Sequence, residues 1–498
     1  MGGGGPILLA LDQGTSSSKA AVIDGSGRVL GSGSAPVRSR QGPRGAVHQD
    51  ARQLLASQQA AIRKACSQAG HPRLDAAGVA SQRSTFVVWD AATGRPLGPA
   101  PTWQSTEASD LCLRLAPHAA QVRRRTGLYL SPHYSASKLS QIVSRNRALP
   151  ARARRGEVMS GSVATWLIWK LTGRRVHAID PTLAARTLLF SLRGARWDPW
   201  LLDLFGIPRA MLPESRDSIA DYGEMRLDGR AVPIRACMGD QQAALHAVMR
   251  GDGTGARRAL VNYGTGAFVL IPTGRRVVRR PGLLTSFAVT QGAPRHVLEA
   301  TINPAGAALD WLRRELGAPG DLRRLDAICR SAPDGCALLA SFWGMGSLDM
   351  DPPGMPRAPA AAIGLSPVST RAQLARAAVE SIAHAVAEAI ARAGGRKRVG
   401  RLVASGGLAA IGYLIEYQAS LLGVPIEVEP EGRWHEATLY GAARAAARAL
   451  GHDLPLMLPQ RVTAPVRRLR AGAREGHARW LRLRTMAQGW AADAGGAA

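Results

Sequence analysis

Lysine is nearly missing from this 498-residue chain: of 64 basic residues only Lys19, Lys64, Lys138, Lys170 and Lys397 are lysine, and the rest are arginine. Acidic residues number only 36, leaving a formal net charge of +28. A charge of that size raises nucleic acid or an anionic membrane as a partner. The cations are scattered, however, and clusters such as Arg123-Arg124-Arg125 and Arg396-Lys397-Arg398 lack the interleaved aromatics that stack bases. With Ala, Gly, Arg and Pro abundant and Phe, Tyr and Lys scarce, the pattern reads as GC-rich coding over a solvated surface. No specific nucleic-acid partner is expected.

Cysteine is also scarce. Cys66, Cys112, Cys237, Cys329 and Cys336 are too few and too irregularly spaced for a disulfide framework, and no CxxC is present for zinc or redox work. A reducing cytoplasm is the expected setting. No apolar run reaches the roughly 18 residues that span a bilayer. The N-terminal apolar run Pro6–Leu11 stops at Asp12 and has no basic region before it, so neither a signal peptide nor a membrane anchor is expected. What remains, 46% hydrophobic and 20% charged, is an ordinary globular composition with length for two to four domains. Gly2–Gly5 and the Ala/Gly-rich end after Trp490 read as frayed termini.

The first thirty residues read as a strand meander, Ile7–Leu11, Ala20–Asp24 and Arg28–Gly33, with turn chemistry at Asp24-Gly25-Ser26-Gly27. A helix capped by Asp50 is expected from about Ala51 to Ala69, then a strand pair near Gly78–Gln82 and Thr85–Asp90. The second half starts the same way: strand Ala259–Val261, the turn Asn262-Tyr263-Gly264-Thr265-Gly266, and strand Ala267–Ile271. Gly14-Thr15 and Gly264-Thr265 lie 250 residues apart, about half the chain, which suggests two similar halves with a cleft between them. Helices around Ala305–Leu316, Arg371–Arg392 and Gly412–Leu422 and a strand Arg401–Ala404 follow, with a Pro-rich loop at Asp351–Pro359.

A turn rich in glycine and hydroxyls, such as Asp12-Gln13-Gly14-Thr15-Ser16-Ser17-Ser18-Lys19, can hold phosphate through backbone N–H groups and side-chain donors. Alone it is more often a plain hairpin. Asp12 adds a hard carboxylate of the kind Mg2+ takes, and Lys19 a point charge. No Walker A sequence is present, which excludes a P-loop NTPase of the usual form. Asp240, in Gly239-Asp240-Gln241-Gln242, stands where a strand gives way to a helix. It reads either as a helix N-cap or as a general base for a hydroxyl nucleophile. Ser16–Lys19 and Ser135–Lys138 match Ser-x-x-Lys, but the companion motifs of acyl-serine enzymes are missing. His435-Glu436 lacks the second histidine of a zincin, and His133, His246 and His384 show no ligand spacing, so no zinc site is supported.

Six strings, Asp12–Lys19, Ser81-Gln82-Arg83, Thr102-Trp103-Gln104, Gly239–Gln242, Tyr263-Gly264-Thr265-Gly266 and Ser405-Gly406-Gly407, come in the order and spacing of the FGGY carbohydrate kinases. The chain resembles that family from about Ile7 to Gly451, most of all its glycerol-phosphorylating branch. The resemblance implies an α/β fold of two actin-like (ribonuclease H-like) ATPase domains, residues 6–250 and 251–498, with mixed sheets and an interdomain cleft. It implies ATP and Mg2+ as cofactors, a small polyol as substrate and a homo-oligomer in many members. Asp12 would organise Mg2+. Gly14, Thr15, Ser16, Lys19, Gly264, Thr265, Gly406, Gly407 and Ile411 would face the nucleotide and its phosphates. Arg83, Ser84, Trp103, His133, Tyr134, Asp240, Gln241 and Phe268 would form the polyol pocket, with Asp240 as the base.

The chain departs from the family at five places. Ser84 stands where a glutamate binds a glycerol hydroxyl, and His133 where the pocket tyrosine falls, with Tyr134 next to it as a stand-in. Lys19 replaces an arginine, Ser405 an acidic residue and Ile411 an asparagine near the adenine. The six strings make glycerol, giving glycerol 3-phosphate, the expected acceptor; Ser84 and His133 point to a related kinase of different acceptor as one alternative, and a non-catalytic nucleotide or sugar sensor is another.

Overall fold

The computed structural model describes residues 5–249, 257–302, 305–332, 339–341, 360–428, 437–456 and 461–495. The expected hinge near residue 250, the Pro-rich loop at 351–359, Cys336 and His435-Glu436 lie outside them.

Each half carries one large mixed sheet. The first has six strands in the order Glu224–Leu227, Arg230–Gly239, Ala76–Ser81, Leu8–Gln13, Ser17–Ile23 and Val29–Pro36. The second has seven: Leu284–Phe287, His296–Ile302, Ala267–Gly274, Arg258–Tyr263, Arg401–Ser405, Ile426–Val428 and Arg461–Thr463. The expected repeat is one of topology. In both halves the first strand runs antiparallel to the second and parallel to a later one: Leu8–Gln13 with Ser17–Ile23 and Ala76–Ser81, Arg258–Tyr263 with Ala267–Gly274 and Arg401–Ser405. The 250-residue offset carries Asp12 onto Asn262.

Most expected elements form within a few residues of their sequence bounds. Helix Ala51–Gln68 begins at Asp50, whose carboxylate accepts the Arg52 N–H at 2.8 Å. Helix Arg371–Ala393 starts on a capping box of Thr370 and Gln373. Two expectations fail. Ala76–Ser81 and Phe86–Asp90 do not pair with each other: the first is central in the sheet, while the second pairs with Val158–Ser162, because the chain bends away at Gln82–Thr85, where Ser84 has a φ of 64°, and does not fold back as a hairpin. The chain past Trp490 is not frayed from there on, since helix Arg467–Gly495 continues through it.

The two halves share an apolar core. Helix Ala437–Ala449, from the second half, lies on the first half's sheet and along helix Asp240–Val248, and Leu8, Ala10, Ala80, Ala243, Leu260, Val403, Leu439 and Ala442 are buried together there. Small residues let the two helix backbones approach closely. Arg444 then donates to the His246 and Met249 carbonyls at 2.6 and 2.8 Å, closing the C-terminal end of Asp240–Val248. Cys66, Cys112, Cys237 and Cys329 are buried free thiols.

Candidate active site

Three neighbouring parallel strands end at the same level. In register, Asp12 faces Ala80 and Ala80 faces Met238, while Gln13 faces Ser81 and Ser81 faces Gly239. The residues just beyond those ends are Gly14-Thr15, Gln82-Arg83 and Asp240. Carboxyl ends of parallel strands in an open sheet are where such folds place ligands. Three motifs far apart in sequence thus become one rim.

On that rim Asp240 is the first residue of its helix and not its cap. Gly239 holds the N-cap position, and the Asp240 carboxylate only accepts its neighbour's Gln241 N–H, at 2.8 Å. It is left facing the Arg83 guanidinium, Nε to Oδ1 3.5 Å. Gly239 is required beside it: a Cβ there would come within 2.8 Å of the Arg83 Cδ and the Gln242 Oε1. Burial raises the Asp240 pKa, Arg83, the Gln241 N–H and Arg186 pull it back, and Glu299 raises it. The result is a carboxylate more basic than an exposed one.

Asp12 sits across from Lys19 in the first hairpin. It is 9% exposed, its Oδ1 is buried with no hydrogen-bond partner, and its pKa is raised to about 7, chiefly by burial and then by Asp240, against a lowering by Lys19. A buried carboxylate oxygen without a donor fits a hard cation such as Mg2+, which takes oxygen ligands and would restore the ionised form. No cluster of three or more His, Cys, Asp or Glu suited to a metal occurs among the described residues.

The first turn is braced from below. Gln82 donates to Gln13 Oε1 at 3.0 Å, Gln49 Oε1 at 3.0 Å and the Gly14 carbonyl at 3.2 Å, and Gln49 donates to the Thr15 carbonyl at 2.7 Å. The expected phosphate donors change here. The Gly14 N–H donates to the Ser17 carbonyl and the Gly264 N–H to the Gly266 carbonyl, 2.9 and 2.8 Å, so both glycine amides close their turns and do not reach outward. The Thr15 hydroxyl lies against the pocket wall, accepting from Trp103 Nε1 at 2.9 Å.

That wall continues from Trp103 to His133, ring centroids 5.6 Å apart, and on to Tyr134 at 5.0 Å. His133 is held neutral: burial and the nearby charges of Arg186, Lys138 and Arg83 push its pKa well below the usual range. Tyr134 is fully buried beneath Arg186, so no part of it is open to an acceptor and it does not stand in for the missing tyrosine in this conformation. Ser84, with φ of 64°, turns its hydroxyl away to the Arg186 carbonyl at 3.1 Å.

The second half joins through specific contacts. Asn262 Nδ2 donates to Gln241 Oε1 at 3.5 Å, and the Thr438 hydroxyl to the Asp240 carbonyl at 3.4 Å. Gly264 and Thr265 are exposed, and Gly306 and Ala307 at the start of helix Gly306–Leu316 donate to their carbonyls at 3.1 and 2.9 Å. Ser16 is exposed and Lys19 half-buried on the first turn. Gly406 packs against the Tyr263 carbonyl and Gly407 is open beside it, whereas Ile411 is fully buried in the second core. Phe268, half-buried, pairs with Asn262 in the sheet and packs into the shared core.

Residues 7–247 match the N-terminal domain of the FGGY family of carbohydrate kinases and residues 259–450 its C-terminal domain. The chain belongs to the FGGY family of carbohydrate kinases. It is 41% identical over 500 residues to the glycerol kinase of Thermus brockianus, covering 97% of this chain and 99% of that one. The glycerol kinase of Polaromonas naphthalenivorans (strain CJ2) is 38% identical over 462 residues, 89% of this chain and 90% of its own. The crystal structure of Plasmodium falciparum glycerol kinase with ADP superposes with a TM-score of 0.86 at 22% identity, covering 96% and 98% of the two chains, which establishes the two-domain actin-like fold.

Sequence reasoning missed four contributors to this FGGY site. Glu299 and Arg186 lie outside the six strings, and Gln49 and Lys138 gave no signal that tied them to it. Lys138 was singled out only as part of Ser-x-x-Lys, yet its ammonium is buried and donates to the Thr102 and His133 carbonyls at 2.7 and 2.9 Å, with its pKa lowered by burial to about 7. A lone lysine among small residues at the start of helix Ser135–Arg145 is the available clue.

Proposed function

We propose that this FGGY kinase transfers the γ-phosphoryl group of ATP to a terminal hydroxyl of glycerol, giving glycerol 3-phosphate. The observation that carries this reading is the Asp240 carboxylate, uncapped at a strand–helix junction, 3.5 Å from Arg83 and on one rim with Asp12 and the first phosphate turn. Curated glycerol kinases at 41 and 38% identity support the acceptor.

In this reading Arg83 and Gln241 hold the polyol hydroxyls, while Trp103, with neutral His133 beside it, forms the apolar wall, and Phe268 supports the site from the shared core. Asp240 takes the proton of the attacking hydroxyl, its raised pKa favouring that transfer. Thr15, Ser16, Lys19, Thr265 and the Gly406-Gly407 bend face the nucleotide. Asp12 would hold Mg2+, which when bound neutralises phosphate charge. Residues 6–250 and 251–498 serve as the two domains. Buried free thiols and the lack, among the described residues, of a helix long and apolar enough to cross a membrane are compatible with a cytoplasmic enzyme.

Ser84 favours one second reading, a related kinase with another acceptor, because its hydroxyl is committed to Arg186 and offers the substrate no carboxylate. ADP release measured over glycerol, erythritol, xylulose, ribulose and gluconate decides between them. Glycerol should give the highest kcat/KM, and Asp240→Asn should lose turnover about a thousandfold while still binding ATP. A different preferred acceptor selects the second reading, and no acceptor-dependent turnover with any of them rejects both.

A further inference from the structure

Glu299 lies mid-strand in His296–Ile302, in the second half, opposite Leu270 and Leu284. Its carboxylate is nonetheless in the first half's pocket. Oε2 accepts from Arg83 Nη1 at 2.7 Å and lies 3.5 Å from Arg186 Nη1, and Oε1 accepts from Gln242 Nε2 at 2.7 Å. All three charged side chains are almost wholly buried, 6% exposed at Arg83, 3% at Glu299 and 2% at Arg186.

A buried ion group of this kind adds little stability over well-packed apolar side chains of the same volume. What it supplies here is geometry. Arg83 has its Nε toward Asp240 and its Nη1 on Glu299, with Gln242 Oε1 accepting from the same Nη1 at 3.3 Å. With one end held by the far domain, the guanidinium cannot swing fully onto Asp240. The guanidinium is thereby held beside Asp240 at the rim in one orientation.

We propose that Glu299 is a positioning residue for the acceptor: it anchors Arg83 across the domain boundary, so that the polyol pocket is complete only when the second domain's strand is docked against the first. The charged groups around this anchor are Arg83, Arg186, Asp240 and, beyond Asp240, Asp12 with Lys19; Gln242 is its neutral partner. The two guanidinium groups outweigh the burial of Glu299, whose pKa is lowered, so the anchor is ionised.

The proposal rests on the reading that Arg83 binds the acceptor, and its test separates the two. In the full-length enzyme Glu299→Gln should raise the glycerol KM tenfold or more and leave the ATP KM within twofold. In an Arg83→Lys background the same change should cost no more than a further twofold in kcat/KM for glycerol. An equal loss in both backgrounds, a parallel rise of both KM values, or no effect overturns the anchoring role while leaving the kinase reading intact. Should circular dichroism show that Glu299→Gln does not fold, Glu299→Gln/Arg186→Met, which also removes the second guanidinium facing residue 299, carries the same KM comparison. Absence of acceptor-dependent turnover in the wild-type enzyme overturns both.

Discussion

The indole N–H of Trp103 donates to the hydroxyl of Thr15 at 2.9 Å, joining the string Thr102–Gln104 to the turn Asp12–Lys19. Under the proposed function the two strings serve the acceptor and the phosphates, so a change on either side should be felt on the other. Trp103→Phe keeps the apolar wall but removes the donor. It should raise the KM for glycerol and for ATP together, each about fivefold, as expected for one hydrogen bond of about 1 kcal/mol. Thr15→Val should reproduce the ATP effect and show little further loss when combined with Trp103→Phe. A rise confined to glycerol would show that the bond does not couple the two sites.

Asp12 gives a prediction about pH and stability. Its pKa is raised from 3.8 to about 7 in the folded state, so folding favours the protonated form. The cost of the buried charge is absent below about pH 4, grows between pH 4 and 7, and is fully present above that, on the order of 2–4 kcal/mol. Without divalent cation, Asp12→Asn should therefore melt at a higher temperature than the wild type at pH 8, with a gap that narrows at pH 5. Added Mg2+ should narrow the gap at pH 8 by stabilising only the wild type. Thermal unfolding followed by circular dichroism checks this; a variant less stable than the wild type at pH 8 would mean that the carboxylate is already compensated.

The two halves meet closely at Gly441, where a Cβ would stand 1.8 Å from the Ala243 carbonyl oxygen. That oxygen belongs to backbone and cannot step aside as a flexible side chain would. Gly441→Ala should force the helices Ala437–Ala449 and Asp240–Val248 apart, destabilise the protein by about 3 kcal/mol or more and displace Asp240 at the head of the second helix. Lowered melting temperature and lowered kcat should appear together. Gly489→Ala, in helix Arg467–Gly495 with no heavy atom within 4 Å, is the control: it should be neutral or stabilising by up to about 1 kcal/mol. Equal effects of the two changes would reject the close-contact account.

Much of the site was legible because its residues cluster in short strings at strand ends. Asp12 to Lys19, Gln82-Arg83 and Gly239–Gln242 each combine a buried apolar run with polar and glycine residues, and that contrast is visible in one dimension. Glu299 was not legible. It sits in an ordinary strand, and only the sheet order that places His296–Ile302 beside the shared core carries its carboxylate to Arg83. Lys138 and Gln49 were missed for the same reason, since each reaches a carbonyl far along the chain, 36 and 34 residues away, although Lys138 also holds the nearby His133 carbonyl. Tyr134 failed in the opposite direction: adjacent to His133 in sequence, it is turned into the core.

The sequence by itself determined the family, the repeated strand–turn–strand at a 250-residue offset, the scarcity of lysine and cysteine, and the identity of the carboxylates. These follow from residue type and spacing, which local backbone preference and hydrophobic pattern express directly. Only the tertiary structure decided that Phe86–Asp90 leaves the sheet, that the glycine amides of both turns are closed on themselves, and that Arg83 is gripped by Glu299 from the opposite half. Each of these depends on which group ends up buried beside which. A buried polar atom must find its partner wherever the fold brings one, however far along the chain that partner lies.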